Sequence, residues 1–351
     1  MSQFSTAGVR VEGYSVYTSG DLGEVADIVL SEPLSEDFFN KLYADLMDKN
    51  YMVVQLRSER PVLRIIPVRR GRSKWKLPLF LATFATVFAT GYGLSASFYT
   101  SLPEVIVWGL AYTVIFLSAL AVHEFGHILA SRRNRVLIDG PFFIPAPPIQ
   151  LGFIGTFGAV INMKTIPPDK KSLSRIGISG PLFGFLAGLA IAPVGILLSQ
   201  PITIQQAQEM VEAGQAAPLM GIPLVFQILE QLMVPQGYTI LLHPLAFISY
   251  IVFLVTFLNL IPIGQLDGGH VVRSYVSPGL YDVIGWTSIA VLLLLGLFYS
   301  FYLWIGVIAL VFKLIFGKYQ HPGSANQYSM SHSPVHLAMY LALLVLTAPI
   351  P

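Results

Sequence analysis

Residues 105–135 read VIVWGLAYTVIFLSALAVHEFGHILASRRNR. From Val105 to Val122 no residue is charged, and the run is long enough for the roughly 20 apolar residues that a bilayer-crossing helix needs. Three ionisable residues, His123, Glu124 and His127, then interrupt it before the basic cluster Arg132, Arg133 and Arg135 closes it. Ionisable groups at membrane depth are costly, and they usually face a partner or water. The stretch therefore predicts a spanning helix that carries chemistry near one end.

The rest of the chain agrees with a membrane setting. Of its 351 residues 54% are hydrophobic and only 11% charged, with a mean hydropathy of +0.66. Soluble domains carry roughly 25% charged residues. A net charge of +2 gives no case for nucleic acid or another polyanion. The absence of cysteine excludes disulfides, thiolate zinc sites and cysteine nucleophiles together.

Apolar runs near 77–99, 105–131, 174–199, 240–262, 280–298, 301–317 and 334–350 predict a polytopic all-α bundle of six or seven spans. Residues 77–351 are read as this membrane domain. Residues 1–76 are read as a small soluble α+β unit, and no secretory signal peptide is visible before Leu77. In that unit Ser35 is a candidate N-cap for a helix carrying Phe38, Phe39, Leu42, Tyr43 and Leu46 at helical spacing. Tyr51–Leu56 and 62–68 read as strands.

Basic residues set the orientation. Arg69, Arg70, Arg72, Lys74 and Lys76 precede the first span, Arg132, Arg133 and Arg135 follow the second, and Lys164, Lys170, Lys171 and Arg175 precede the third. Arg273 follows the fourth, and Lys313 and Lys318 close the sixth. With seven spans all of these fall on one side, read as the cytosol, which places the N-terminus inside. The 132–172 connection is apolar but broken by proline and glycine, which suits a re-entrant or strand element lining a cavity.

His123 and His127 stand at i and i+4, so both imidazoles can reach one zinc from a single helical face. Glu124 is rotated away from them, toward a position from which it could deprotonate a water. A catalytic zinc usually has three protein ligands. Candidates for the third are Asp267, His270, His243, Glu230 and Asp282. Depth favours Asp267: residues 127 and 267 precede Arg132 and Arg273 by five and six positions, roughly 7–9 Å inside the same boundary. His270 is read as a contact that orients a ligand or as a plain polar contact, and His321 and His332 as solvated. Gly180, Gly184 and Gly188 recur every four residues and read as a close helix-packing face.

His-Glu-x-x-His on a membrane span, followed far downstream by Asn259-Leu-Ile-Pro-Ile-Gly-Gln-Leu-Asp267-Gly, resembles the site-2 protease family of intramembrane zinc metalloproteases over 77–317. The seven spans and the lack of an inserted PDZ domain are most similar to the archaeal and chloroplast-type branch. The resemblance implies Zn2+ held by His123, His127 and Asp267, Glu124 as general base, and Asn259 beside the reacting carbonyl. It implies hydrolysis of a peptide bond within a transmembrane protein substrate in the lipid bilayer. Nothing resembles a transit peptide, which favours a multi-pass protein of a prokaryotic membrane, and the basic residues put the site toward the cytosol. Where the family has asparagine shortly after Gly-Pro-Leu, this chain has Phe183-Gly184. The stretch from Gly155 through Thr156, Phe157 and Gly158 to Asn162 suits binding of an unwound substrate by strand addition. The competing reading is a membrane metal carrier built on the same three ligands.

Overall fold

A computed structural model describes residues 9–20, 23–69, 71, 73–219, 221–316 and 321–350; Arg70, Arg72, Gly317 and Lys318 lie outside the described residues. The chain opens with strands β1 (Val11–Ser19) and β2 (Gly23–Leu30), helix α1 (Glu36–Asp48), and strands β3 (Tyr51–Leu56) and β4 (Val62–Pro67). The four strands form an antiparallel sheet in the order β1-β2-β4-β3. Ser35 caps α1 by accepting from the Phe38 amide at 3.4 Å. Phe39, Tyr43 and Met47 of α1 are buried with Leu30, Val53 and Leu63 of the sheet. The expected helix and the strands at 51–56 and 62–68 are present. Strands β1 and β2 were not expected, because β1 is mostly exposed and shows little apolar alternation.

Four helices among the described residues are long and apolar enough to cross a membrane: α2 (Lys76–Ala96), α3 (Leu102–Arg133), α4 (Lys170–Leu198) and α9 (Pro278–Leu295). In chain order α4 is followed by β7 (Gln200–Thr203), α5 (Ile204–Glu212), β8 (Ile222–Pro223), α6 (Leu224–Met233) and β9 (Tyr238–Leu241). Next come α7 (Pro244–Leu260) and α8 (Asp267–Tyr275) before α9, then α10 (Ser300–Phe316), α11 (Pro334–Thr347) and β10 (Pro349–Ile350). Each of the seven apolar runs is thus a helix, but α7, α10 and α11 are shorter than the other four. The fold is mostly helical, with α4 at its centre against α3, α7, α8 and α11.

Between α3 and α4 the chain forms a hairpin of β5 (Ile138–Pro145) and β6 (Thr156–Met163), as the broken apolar stretch suggested. The hairpin is tied down at both ends. At its base Asp139 pairs with Lys76 at 2.7 Å, and near its tip the Thr86 hydroxyl of α2 donates to the Gly155 carbonyl at 2.6 Å. β5 covers one edge of β6; among the described residues no strand pairs with the other edge.

Candidate metal centre

The site is assembled from α3, the start of α8 and the helix α4 behind them. α3 is capped by Ser101 and ends with Arg132 and Arg133 in its last turn, where cations suit the helix dipole. One turn apart on its buried face, His123 and His127 bring their Nε2 atoms to 3.2 Å of each other. Asp267 opens α8 and sets Oδ2 3.3 Å from His123 Nε2 and Oδ1 3.2 Å from His127 Nε2. A tetrahedral ion with bonds of roughly 2.0–2.1 Å has ligand–ligand edges of about 3.3–3.4 Å. The Nε2–Nε2 contact and each ring's contact with its own carboxylate oxygen are of that length, and one ligand atom from each residue lies within 4.8 Å of the other two.

The donor chemistry fits a divalent cation as well. His127 Nδ1 lies 2.9 Å from the Ile176 carbonyl, which can only accept. Nδ1 therefore carries the proton and the Nε2 lone pair points inward, the ligating tautomer. Two imidazole nitrogens and a carboxylate converging in a buried space need a proton or a cation between them. His123, His127 and Asp267 can hold a metal.

The glycines at every fourth position of α4 have a use beyond helix packing. A Cβ at Gly180 would fall 2.0 Å from His127 Nε2, and one at Gly184 2.8 Å from His123 Nδ1. The bare backbone of α4 is the wall on which both rings rest. All three glycines conform to the packing reading: Gly180 and Gly184 let α3 approach through its histidines, and Gly188, whose Cβ would meet Phe253, lets α7 approach. In α8 the small residues serve similarly, because a Cβ at Gly268 would fall 2.0 Å from the Leu260 carbonyl oxygen.

The metal-ligating atoms open on a cleft of about 150 Å³, well above the roughly 10–15 Å³ that one water requires. Glu124, Asn259, Gln265 and His270 line it, together with Ala159, Val160, Ile161 and Met163 of β6. Glu124 is buried and shares the cleft without belonging to the three-ligand cluster. The structure brings together His123, Glu124, His127, Asn259 and Asp267, all of them read from the sequence.

The proposed substrate-binding residues 155–158 sit elsewhere on the hairpin. Gly155 is pressed on α2, where a Cβ would fall 2.7 Å from the Thr86 carbonyl oxygen, and Thr156 is buried with its hydroxyl 2.8 Å from the Ile144 carbonyl. Phe157 is exposed, and Gly158 has open space beside it. Residues 159–161 and 163 are the ones beside the metal ligands. The strand is thus as expected, but its cleft-facing part lies further along.

Of the other third-ligand candidates, His270 lines the cleft outside the three-residue cluster, and the remaining three are engaged elsewhere. His243 caps α7, accepting from the Leu245 amide at 3.1 Å, and meets the Tyr99 hydroxyl at 2.8 Å. Glu230 accepts from Thr239, and Asp282 pairs with Lys313 at 2.5 Å. His321 is a correction. It is buried, not solvated, with Nε2 2.7 Å from His270 Nδ1. Only a lone histidine in a polar segment was visible in the sequence, with nothing to place it over α8.

The family model for peptidase family M50 matches residues 111–303, more than half of the chain. The chain is 32% identical over 188 residues to the probable zinc metalloprotease EGY1, chloroplastic, of Oryza sativa subsp. japonica, covering 52% of this chain and 30% of that protein. It is 29% identical over 202 residues to the probable zinc metalloprotease EGY2, chloroplastic, of Arabidopsis thaliana, covering 56% of this chain and 34% of that protein. The chain spans about a third of the length of the curated relatives it matches. No solved structure matches it.

Proposed function

The chain belongs to peptidase family M50, and on that premise we propose that it is a zinc endopeptidase that cuts transmembrane segments of other membrane proteins within the bilayer. The observation that carries this reading is the convergence of His123, His127 and Asp267 through contacts of 3.2–3.3 Å, beside a buried Glu124, with four helices among the described residues long and apolar enough to cross a membrane.

His123, His127 and Asp267 would hold the zinc. When bound, the ion supplies a Lewis acid that polarises a carbonyl and lowers the pKa of water toward about 7. Glu124 takes a proton from the attacking water and returns it to the leaving amine, completing hydrolysis of the peptide bond. Asn259, in the same cleft, donates its amide to the carbonyl oxygen as negative charge develops there. A helical substrate must unwind first. The edge of β6 not taken by β5 gives its freed backbone a row of hydrogen-bonding groups beside Ala159–Ile161. A metal carrier would use the same three ligands but has no role for a carboxylate held in the cleft without ligating.

Residues 1–76 act in this reading as a cytosolic accessory unit, and the clustering of lysine and arginine supports a metal site toward the same side. Glu124→Gln tests the reading. The variant should retain near-stoichiometric zinc by metal analysis and lose cleavage of a single-span substrate by at least a hundredfold. Cleavage at the wild-type rate would refute the assignment of the base.

A further inference from the structure

A chain of hydrogen bonds behind the cleft fixes the protonation of a residue that faces it. The Gly323 amide donates to His321 Nδ1 at 3.0 Å. A backbone N–H can only donate, so His321 Nδ1 holds a lone pair, and the ring is neutral with its proton on Nε2. That Nε2–H lies 2.7 Å from His270 Nδ1 and donates to it. His270 Nδ1 in turn holds a lone pair, and the proton of this second neutral ring is on Nε2. His270 is buried, its ring lies one turn along α8 from Asp267, and it lines the metal cleft. The ring nitrogen left for the cleft is a donor, and it has no lone pair to offer a metal.

We propose that His270 is a substrate-contacting hydrogen-bond donor, its Nε2–H bonding a backbone carbonyl oxygen of the peptide held in the cleft, and that His321 is the residue that positions its tautomer. This rests on the proteolytic reading for its ligand, a peptide carbonyl. The tautomer rests on the hydrogen bonds alone. A neutral imidazole suits this role, because it donates without bringing a second positive charge beside a divalent cation.

The test joins kinetics to a signature that a merely structural contact would not give. In 15N-histidine-labelled protein at neutral pH, long-range 1H–15N spectra should show His270 with a protonated Nε2 and a bare Nδ1, its signal assigned by its loss in His270→Gln. His321→Ala should redistribute the His270 tautomers. His270→Leu should keep its zinc and lower kcat/KM by about tenfold, the size of one net hydrogen bond of roughly 1.4 kcal/mol. His270→Gln, whose side-chain amide keeps a donor near the Nε2 position, should recover most of that loss. A protonated Nδ1, zinc loss in His270→Leu matching that of Asp267→Asn, or equal activity in His270→Leu and wild type would each overturn the proposal. If the wild-type protein cleaves no membrane substrate, the proteolytic reading fails separately, and the spectra still decide the tautomer.

Discussion

Gly180 shows how much of a metal site can depend on an atom that is not there. His127 Nε2 occupies the space a side chain at position 180 would fill, 2.0 Å from the ideal Cβ. Alanine favours a helix over glycine by roughly 1 kcal/mol, so Gly180→Ala gains in propensity while it forces the His127 ring to move. The steric loss falls on the ligating nitrogen. We expect Gly180→Ala to remain folded and membrane-inserted but to bind zinc at least tenfold more weakly. Gly188→Ala, which meets Phe253, should leave zinc affinity unchanged. Zinc titration against a competing chelator separates the two, and equal affinities would count against α4 as the wall behind the rings. The ligands themselves were legible because i, i+4 spacing and equal membrane depth are properties of sequence. The glycine stripe was visible too, but sequence gives the period of a face and not what lies against it. The reading as helix packing holds, but it did not show that two of the three glycines pack against the metal-binding histidine rings.

Among the elements, the β5–β6 hairpin is the part whose use depends most on where it is fastened. Its proline and glycine content and apolar character announced a non-helical element at membrane depth. Register did not follow from composition. Gly155, φ +85°, serves a close approach to α2, and the cleft falls to residues 159–161 and 163. Helix α8 was hidden for a related reason. Asp267-Gly-Gly is a poor helix start by propensity, and the glycines are needed because the Leu260 carbonyl passes within reach of position 268. If β6 holds the substrate, its anchorage should matter for cleavage and not for metal. Thr86→Val removes the 2.6 Å bond to the Gly155 carbonyl while conserving shape. A lost hydrogen bond of roughly 0.5–1.5 kcal/mol predicts kcat/KM lower by about two- to tenfold, with zinc content intact. Unchanged kinetics with several substrates would remove the hairpin from substrate binding.

Over the whole molecule, the connections divide into two groups by what they pack against. The N-terminal sheet and α1 meet the chain on either side of the bundle's later helices: Gln55 of β3 exchanges backbone hydrogen bonds with Ala325 and Gln327, Glu36 of α1 accepts from Ser329, and Asn40 of α1 donates to Asp169, the cap of α4. At the other ends of the helices β7 pairs with β9 and β8 with β10. No lysine or arginine occurs between Arg175 and Arg273, the interval that contains β7, α5, α6 and β9. The first group should therefore face the cytosol and the second the opposite compartment. A chain without cysteine makes the test direct. Met330 is exposed on the first group, Ser277 is exposed at the head of α9 just after Arg273, and Gln215 is exposed on the second group; none carries a charge whose removal would disturb the orientation. Single cysteines at Ser277 and Met330 should react with a membrane-impermeant thiol reagent only from the cytosolic side, and one at Gln215 only from the other. The reverse pattern would invert the orientation and move the metal to the outer face. Reaction of all three from one side would mean that the intervening helices do not separate the two groups across the bilayer. The expected pattern also locates the cut: with ligands roughly 7–9 Å inside the cytosolic boundary, cleavage mapped by mass spectrometry should fall in the cytosolic third of a substrate span. A glycine or proline placed there should speed it, because the helix to be unwound is weaker by roughly 1–3 kcal/mol at that point.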